Sequence, residues 1–564
     1  MMFIIVIISI IILATAYMIY GKFLTKEFQL DDSKKTPACE INDGTDYVPA
    51  KAPMLLGQHF SAIAAAGPIV GPILAGIWFG WLPALLWILI GSIFIGGVQD
   101  FTSMIASVRH KASSIGEIVK KYMTPTSHKL FLIFVWFALV YVIIAFTDIT
   151  AQTFKSVAQD TAFGPQVAVS SLFYLILGII LGVILYKTKI KLWLATLIFL
   201  PLVIFAIWSG TIMPSTFLNS MLSVPTKFWE VILLIYCFIA ALIPMWLLLQ
   251  PRGYLGGWFL YFTIIIALLG AIFGGYPVQY PAFNLDGLHS LANGKLIFPI
   301  LFITIACGAC SGFHGIVSSG TTSKQICRES DTKTVGYGAM LLEALVAVLA
   351  LGTVMILSKQ DVLLKSDPNF IYAKGLAQYM GLVGISFNFA LSFALVAFST
   401  FVYDTLDVCT RLARYILQEL FNWQSKTSAI LATFLTLLLP LIFLMSTKEK
   451  GYLVAWPIFG TSNQLLASLI LLSISVWLIK TGKNALYTIL PMIFMLVVTL
   501  WSLIVQILPF LNSISGILKG GAIKPDTIIS GICGIILLIL SISLVIEAIN
   551  ILFFKKETES KTVN

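Results

Sequence analysis

Hydrophobic residues along this chain fall into long runs that are separated by short polar segments. Each run has close to the ~20 residues that a helix needs to cross a bilayer. The pattern predicts an all-α polytopic membrane protein with about 15 transmembrane helices. The predicted runs cover residues 2–20, 57–80, 84–108, 129–150, 167–186, 191–208, 229–249, 255–274, 297–320, 335–358, 379–402, 427–447, 452–478, 485–508 and 527–553.

Two of the runs are interrupted by residues that disfavour a straight helix. The first contains the stretch GQHFSAIAAAGPIVGP, from Gly57 to Pro72, with a second proline at Pro68. The second, from Phe298 to Gly320, contains GACSGFHG. Proline removes a backbone donor and clashes with the preceding turn, and a broken helix in a membrane is tolerated only where its freed backbone groups face protein, water or a ligand. Two interrupted segments in corresponding halves of a chain indicate a transporter binding site.

The two broken runs are predicted to enter the membrane in opposite directions, because seven crossings, an odd number, separate them. The count predicts an inverted pair of five-helix repeats, each with a discontinuous first helix. The predicted units are an N-terminal helix and cytoplasmic loop at 1–46, a first repeat at 47–208, two spacer helices and a connection at 209–296, a second repeat at 297–478, and two C-terminal helices with a charged tail at 479–564.

Composition and charge agree with a membrane protein and add an orientation. The chain is 59% hydrophobic and 11% charged, against about 45–50% and 25% in soluble proteins. With the N-terminus outside, 25 of the 35 basic residues fall on the cytoplasmic side, as the positive-inside rule requires. The net charge of +10 therefore reflects orientation in the cell membrane rather than nucleic-acid binding. Lys22 and Lys26 follow the first run, which favours a retained anchor over a cleaved signal peptide.

Four sequence motifs connect this chain to a known family. They are the stretch from Gly57 to Pro72, GGVQDF at 96–101, SGFHGIVSSGTTSKQI at 311–326 and FGTSNQLLA at 459–467. These motifs resemble the carbon starvation protein A family, and the similarity extends over residues 47–480. The resemblance implies membership of the amino acid–polyamine–cation superfamily and a LeuT-like fold. It also implies uptake of peptides, or of pyruvate with protons, when carbon is scarce.

We expect the substrate to bind where the two runs break. The N-termini of half-helices carry partial positive charge and free N–H groups, and both peptides and pyruvate offer a carboxylate. Small residues at the breaks allow the backbone to approach a substrate, although they would equally let helices pack closely. The candidate substrate-binding residues are His59, Ala66, Gly67, Pro68, Gly71, Gly308, Ser311, Gly312 and His314.

Histidine and cysteine residues near the breaks raise the question of proton transfer or metal binding. His59 and His314 are candidates for moving protons near neutral pH, and the alternative is a neutral histidine hydrogen-bonded inside the bundle. No carboxylate or second histidine stands at ligand spacing from either residue, so we expect no metal site. Cys307 and Cys310 form a single pair in apolar sequence, which does not indicate a zinc or redox motif.

Acidic residues inside the runs are candidates for ion coupling, because burying a carboxylate in a membrane is costly. Asp100 and Glu343 each lie eight residues from the same membrane face, or ~12 Å at 1.5 Å per residue. The alternative is a structural ion pair with a basic residue of the nearby loops. Those basic residues are Arg109, Lys111 and Lys324.

The resemblance also implies a cation site near the end of the third run of the second repeat. Its candidate residues are Ser399, Thr400 and Asp404. Serine and threonine often bond the backbone of their own helix, however. An alternative role for Asp404 and Asp407 is to pair with Arg411 and Arg414 one turn later.

Together with the resemblance, these features predict a secondary active transporter that imports small carboxylate-bearing nutrients with protons or sodium ions. The alternative is a membrane-embedded nutrient sensor without net transport, but the longest polar segment has about 35 residues and leaves no room for a signalling domain. We expect no enzymatic activity and no cofactor, because neither a nucleophile–base pair nor a phosphate-binding loop with Walker spacing is present.

Overall fold

A computed structural model of the chain describes residues 2–43, 47–157, 162–188, 190–284, 297–447, 451–517 and 525–554. Within these ranges the chain forms helices and no β-strand, apart from one isolated bridge between Ala50 and Ile326. The predicted all-α membrane protein is confirmed. The charged tail at 555–564 and the end of the polar connection at 285–296 lie outside the described residues.

The helices are numbered here in chain order. In the first half they are α1 (Met2–Glu27), α2 (Pro37–Ile41), α3 (Ala52–Ile63), α4 (Gly67–Phe79), α5 (Trp81–Gly91), α6 (Gly97–Arg109), α7 (Ile115–Tyr122), α8 (Pro125–Thr153), α9 (Phe163–Lys187), α10 (Leu192–Thr211), α11 (Ser215–Ser223), α12 (Thr226–Leu242) and α13 (Leu249–Phe273). In the second half they are α14 (Ile297–Thr304), α15 (Gly312–Val317), α16 (Ala339–Met355), α17 (Pro368–Gly381), α18 (Phe387–Leu420), α19 (Lys426–Ser446), α20 (Tyr452–Lys480), α21 (Leu486–Ile517) and α22 (Pro525–Ile549).

Twelve spans in the described ranges are long and apolar enough to cross a membrane, and the number rises to fourteen if each of two bent pairs counts as one span. The bent pairs are α3 with α4, at 48°, and α11 with α12, at 90°. The second predicted broken run consists of shorter pieces, since α14 has 8 residues and α15 has 6. The total of fifteen spans therefore stays a prediction.

The first break lies between α3 and α4, where the glycine and proline pattern predicts it. Ala64 leaves the helical region, with φ −82° and ψ 60°. Pro68 stands in the first turn of α4, where a missing N–H costs no hydrogen bond. The chain thus changes direction by 48° in the middle of a span.

The second break follows α14, and it packs directly against the first. Ser311 is extended, with φ −128° and ψ 123°, and α15 begins at the next residue. A Cβ atom on Gly67 would lie 2.3 Å from Sγ of Cys307, and one on Gly71 would lie 2.4 Å from the backbone oxygen of Thr304. The small residues therefore serve close packing between the two breaks.

Three helices form the centre of the molecule. The buried share of the apolar stretch is 94% in α20, 89% in α18 and 83% in the segment that contains α16, but only 28% in α1 and α22. Both α18 and α20 pack against α8, and α20 also packs against α15. The second break is consequently enclosed by protein rather than by lipid.

Two predicted boundaries are wrong for a physical reason. The run predicted at 379–402 begins in α17 and continues through α18 to Leu420. Four charged residues in the second half of α18 are buried, and because they bond to groups inside the protein they do not end the helix. They are Asp404, Asp407, Arg411 and Arg414. The run predicted at 229–249 stops at Leu242, two residues before Pro244, which would interrupt the helix.

Candidate functional site

Three buried ionisable side chains meet beside the second break. In this central triad, Nδ1 of His314 lies 3.0 Å from Oδ2 of Asp100, and Nε2 lies 3.2 Å from Oε2 of Glu343. All three side chains have 0% exposure. One imidazole thus bridges two carboxylates in the interior of the protein.

The triad joins the two predicted repeats. Asp100 stands in the first turn of α6, just after a π-helical turn at Ser92–Gly96. His314 lies in α15 and Glu343 in α16. The sequence predicts the two acids at one depth, but it does not indicate that a histidine lies between them.

Two of the three predicted alternative partners of the acids, Arg109 and Lys324, have contacts elsewhere. Arg109 forms an ion pair with Glu329, with Nη2 2.8 Å from Oε2. The ammonium group of Lys324 lies 5.4 Å from the centre of the Tyr47 ring. The structural ion pair with Arg109 is therefore wrong, and the partner of Asp100 is His314.

The three groups of the triad do not balance one another in charge when all are ionised. Nδ1 of His314 and Oδ2 of Asp100 form a hydrogen bond, whereas Nε2 of His314 and Oε2 of Glu343 are in ion-pair contact without hydrogen-bond geometry. With both carboxylates ionised and a proton on each imidazole nitrogen, the cluster has one negative charge left. An uncompensated buried charge is costly. Oδ1 of Asp100 and Oε1 of Glu343 are buried and have no hydrogen-bond partner among the described residues. A further proton on the cluster would remove the excess charge.

A neighbouring cysteine places a third side chain of the metal-ligating type beside His314 and Glu343. Single ligand atoms of Cys307, His314 and Glu343 lie within 4.8 Å of one another. The expectation of no metal site rests on the spacing of ligands along the sequence. That spacing does not show that Cys307, His314 and Glu343 lie together in space. The three residues come together only because the second break packs against α16.

Asn463 in α20 holds the second break in place. Its Oδ1 accepts a hydrogen bond from the backbone N–H of Phe313 at 2.9 Å, and its Nδ2 donates to Oγ of Ser311 at 3.0 Å. A Cβ atom on Gly312 would lie 2.4 Å from the backbone oxygen of Asn463. Asn463 belongs to the FGTSNQLLA motif, which was the signal that could have identified it as a site residue.

The first break is attached to the second half of the chain through His59. Its Nδ1 lies 2.8 Å from Oγ1 of Thr322, while Nε2 is buried without a partner among the described residues. A cavity of about 20 Å³ adjoins His59 and extends to Asp404, and this is roughly the space of one water molecule. Ala66, Pro68 and the other candidates at the first break are buried.

Arg252 organises a second buried cluster, which we call the arginine cluster. Its Nε donates to Oδ1 of Asp404 at 2.7 Å, and its Nη1 lies 2.6 Å from Oδ2 of Asp407. The hydroxyl group of Tyr236 donates to Asp407 at 2.8 Å, and that of Ser61 donates to Asp404. The cluster therefore ties α3, α12 and α13 to α18.

The arginine cluster corrects two expectations. The predicted runs 229–249 and 255–274 leave Arg252 in a loop, but it lies in α13 and is 1% exposed. The alternative given for Asp404 and Asp407 is pairing with Arg411 and Arg414 on the next turn, but both carboxylates pair with Arg252. Arg411 instead donates to the backbone oxygens of Ala240 and Ile243.

The predicted cation ligands on α18 are not gathered into one site. Oγ of Ser399 donates to the backbone oxygen of Leu395 at 3.0 Å, as the structural alternative expects. Oγ1 of Thr400 is buried without a partner among the described residues. Asp404 belongs to the arginine cluster.

A cavity of about 630 Å³ lies apart from the triad. Its walls come from the first halves of α9 and α12 and from α11, and its lining includes Trp229, Tyr236, Arg252 and Tyr403. The walls are apolar and aromatic. The cavity reaches the arginine cluster from the membrane face at which α9 and α12 begin.

Comparison with known proteins agrees with this architecture. The family model described as Carbon starvation protein CstA matches residues 1–371 and 357–502. A protein of Helicobacter pylori named peptide transporter CstA is 31% identical, over 92% of this chain and 85% of that protein. A protein of Escherichia coli named pyruvate/proton symporter BtsT is 30% identical, over 88% and 81%. A crystal structure of a manganese transporter of Eremococcus coleocola with a bis-isothiourea compound shares the fold, with a TM-score of 0.50 and 12% identity, over 91% and 98% of the two chains.

Proposed function

Because this chain belongs to the carbon starvation protein CstA family, we propose that it is a secondary active transporter that imports peptides or pyruvate through the cell membrane. The relatives named as a peptide transporter and as a pyruvate/proton symporter support these two substrates. The observation that carries the proposal is the central triad, which lies beside the second break.

We propose that the coupling ion is a proton and that the triad carries it. Asp100, His314 and Glu343 have 0% exposure, so the surrounding protein does not screen a change in their charge as water would. Their carboxylates contact imidazole nitrogens rather than an array of oxygen atoms, and a hard cation such as sodium prefers oxygen ligands. The protonated and deprotonated triads therefore differ in the bonds that join α6, α15 and α16. Such a difference would let protonation favour one conformation of a transporter.

The architecture within this proposal is an inverted pair of five-helix repeats with a LeuT-like fold, placed in the amino acid–polyamine–cation superfamily. The discontinuous α3–α4 and α14–α15 segments support it. In this proposal the N-terminus is outside, the C-terminal tail is cytoplasmic and the units are those predicted at 1–46, 47–208, 209–296, 297–478 and 479–564.

Uptake and exchange measured on the same purified variants test the coupling. In proteoliposomes with a proton gradient, Asp100→Asn and Glu343→Gln should fail to accumulate substrate but should still exchange it across the membrane. Exchange needs the binding site and the conformational change, but it needs no net proton movement. Glu117→Gln is the matched control, because Glu117 is 42% exposed and pairs with Lys120 outside the triad.

Three results would contradict the proposal. Normal accumulation by both triad variants would remove these acids from coupling. Loss of exchange together with a loss of folded protein would mean that the triad is a structural ion cluster, whose rupture costs about 3–5 kcal/mol. If the wild-type protein binds peptide or pyruvate but moves neither, the chain is a nutrient sensor rather than a transporter.

A further inference from the structure

A polar cleft of about 440 Å³ opens at the membrane face where α1 and α6 end. Four parts of the chain form it: the segment after α1, the end of α6, the connection between α15 and α16, and the connection between α20 and α21. Its basic lining residues are Lys34, Lys35, Arg109, Lys111 and Lys483. Its acidic lining residues are Glu40 and Glu329.

The described lining residues of the cleft carry a formal charge of +3, because five are basic and two are acidic. The guanidinium group of Arg109 accounts for one pair, with Nη2 2.8 Å from Oε2 of Glu329 and 2.8 Å from the backbone oxygen of Phe28. Burial lowers the pKa of Lys483, and the neighbouring charges of Arg109 and Lys34 lower it further, while Glu329 raises it. The cations of the cleft are therefore close enough to repel one another.

An anion in the cleft would relieve this repulsion. The positive-inside rule explains why basic residues are abundant on one membrane face, but it does not require that residues from four separate parts of the chain converge on one concave surface. Nζ of Lys34 lies 3.5 Å from a carboxylate oxygen of Asp31, which is outside the cleft. Both side chains are exposed, and exposed ion pairs contribute little free energy. Most of the excess charge remains inside the cleft.

We propose that the cleft binds a polyvalent phosphate-bearing anion. A ligand with about three negative charges matches the formal charge of the site, whereas a monocarboxylate would leave two charges uncompensated. Lysine and arginine donors form short, charge-assisted hydrogen bonds to phosphate oxygens. The volume lies within the range of about 300–1,000 Å³ that small-molecule sites occupy. The same phosphate chemistry is available from a soluble phosphorylated metabolite or from the headgroup of an anionic lipid.

Binding would regulate transport, and this part of the inference depends on the proposed function. Arg109 at the end of α6 pairs with Glu329 in the connection that follows the second break. Asp31 and Asp32 bind the same connection, through a backbone N–H of Asp31 to Glu329 at 3.0 Å and through Asp32 to the hydroxyl group of Ser330 at 2.6 Å. An anion that contacts all four segments would hold them together, so it should slow any conformational change that separates them.

Pyrophosphate is the probe for this site. We expect it to bind the full-length wild-type protein in phosphatidylcholine nanodiscs, with an affinity that falls as the salt concentration rises. Lys483→Gln and the double variant Lys34→Gln/Lys35→Gln should each weaken binding by about fivefold, since each removes a charge contact. Lys120→Gln is the matched control, because this lysine pairs with Glu117 at 3.1 Å and does not line the cleft. Isothermal titration calorimetry measures all four proteins without any transport.

A comparison of phosphatidylcholine and phosphatidylglycerol nanodiscs identifies the source of the phosphate group. An unchanged pyrophosphate affinity in phosphatidylglycerol nanodiscs would identify a soluble anion. A lower affinity there, together with less phosphatidylglycerol retained by the Lys483→Gln protein, would identify a lipid headgroup. Either result supports the site, and in proteoliposomes pyrophosphate on the cleft side should then slow wild-type uptake more than uptake by Lys483→Gln.

Three results would overturn the inference. They are no pyrophosphate binding in either bilayer, equal binding by the cleft variants and the wild type, and an equal loss in Lys120→Gln, which would mean general attraction to a basic surface. Because binding is measured without a substrate gradient, these results do not depend on whether the protein transports peptides or pyruvate.

Discussion

Replacing Arg252 tests whether the arginine cluster is held together by charge balance. The guanidinium group contacts two carboxylates, at 2.7 Å from Asp404 and 2.6 Å from Asp407, and no side chain of the three is more than 4% exposed. Arg252→Gln leaves two carboxylates in the interior with hydroxyl donors but without a cation. Removing one partner of a buried ion pair costs about 3–5 kcal/mol, so we expect a loss of that size in the free energy of unfolding.

The neutral triple variant Arg252→Gln/Asp404→Asn/Asp407→Asn separates charge from shape. It keeps the size of each acidic side chain and removes the uncompensated charge, so its stability should return to within about 1 kcal/mol of the wild type. Unfolding by dodecyl sulfate in mixed micelles, followed by tryptophan fluorescence, gives the free energy of unfolding of the wild type, the Arg252→Gln variant and the triple variant. Arg328→Gln is the control, because its pair with Asp331 is 3.9 Å long and Arg328 is 67% exposed. A cost below about 1 kcal/mol for Arg252→Gln, or a triple variant less stable than the single one, would refute the reasoning.

Three further predictions follow from other contacts. Asn463→Ala removes the bonds that hold the second break and should cost about 1–3 kcal/mol of unfolding free energy; an unchanged value in the same unfolding assay would contradict this role. Gly67→Ala would place a Cβ atom 2.3 Å from Sγ of Cys307 and should cost about 1–3 kcal/mol, whereas Gly381→Ala, with no atom within 4 Å, should be nearly neutral. Burial lowers the pKa of His110, which lies just beyond α6, so the unfolded chain binds this proton at a higher pH than the folded protein. The free energy of unfolding should fall as the pH drops below about 6.5, and His110→Gln should make that slope shallower.

Hydropathy and proline placement were sufficient to predict most of the fold. The break at Ala64 follows from a glycine and proline pattern that local sterics control, and the sequence therefore places it correctly. The length of α18 could not be predicted in the same way. In a hydropathy profile, a group of polar residues indicates the end of a span. Asp407 is nevertheless buried inside the bundle, because Arg252 from α13 balances its charge.

The candidate site was predicted in part. Asp100 and Glu343 were placed at one depth because helical rise is regular, and the structure brings both to one histidine. The histidine between them could not be predicted, since Asp100 and His314 are 214 residues apart. Arg252 was missed because a basic residue near the end of an apolar run resembles an orientation signal, and nothing local to it distinguishes a buried guanidinium group.

The segment after the second break and the arginine cluster are both bonded to one half-helix, α3. His59 in α3 bonds Thr322, which follows the second break, and Ser61 in the same helix bonds Asp404 of the arginine cluster. Residues two positions apart in an α-helix point about 200° apart, so these contacts lie on opposite sides of α3. A rotation or tilt of α3 would have to alter both contacts together. The half-helix α3, which ends at the first break, is therefore the element through which a change in protonation beside the second break could reach Arg252. Arg252 in turn lines the cavity of about 630 Å³ at the membrane face where α9 and α12 begin.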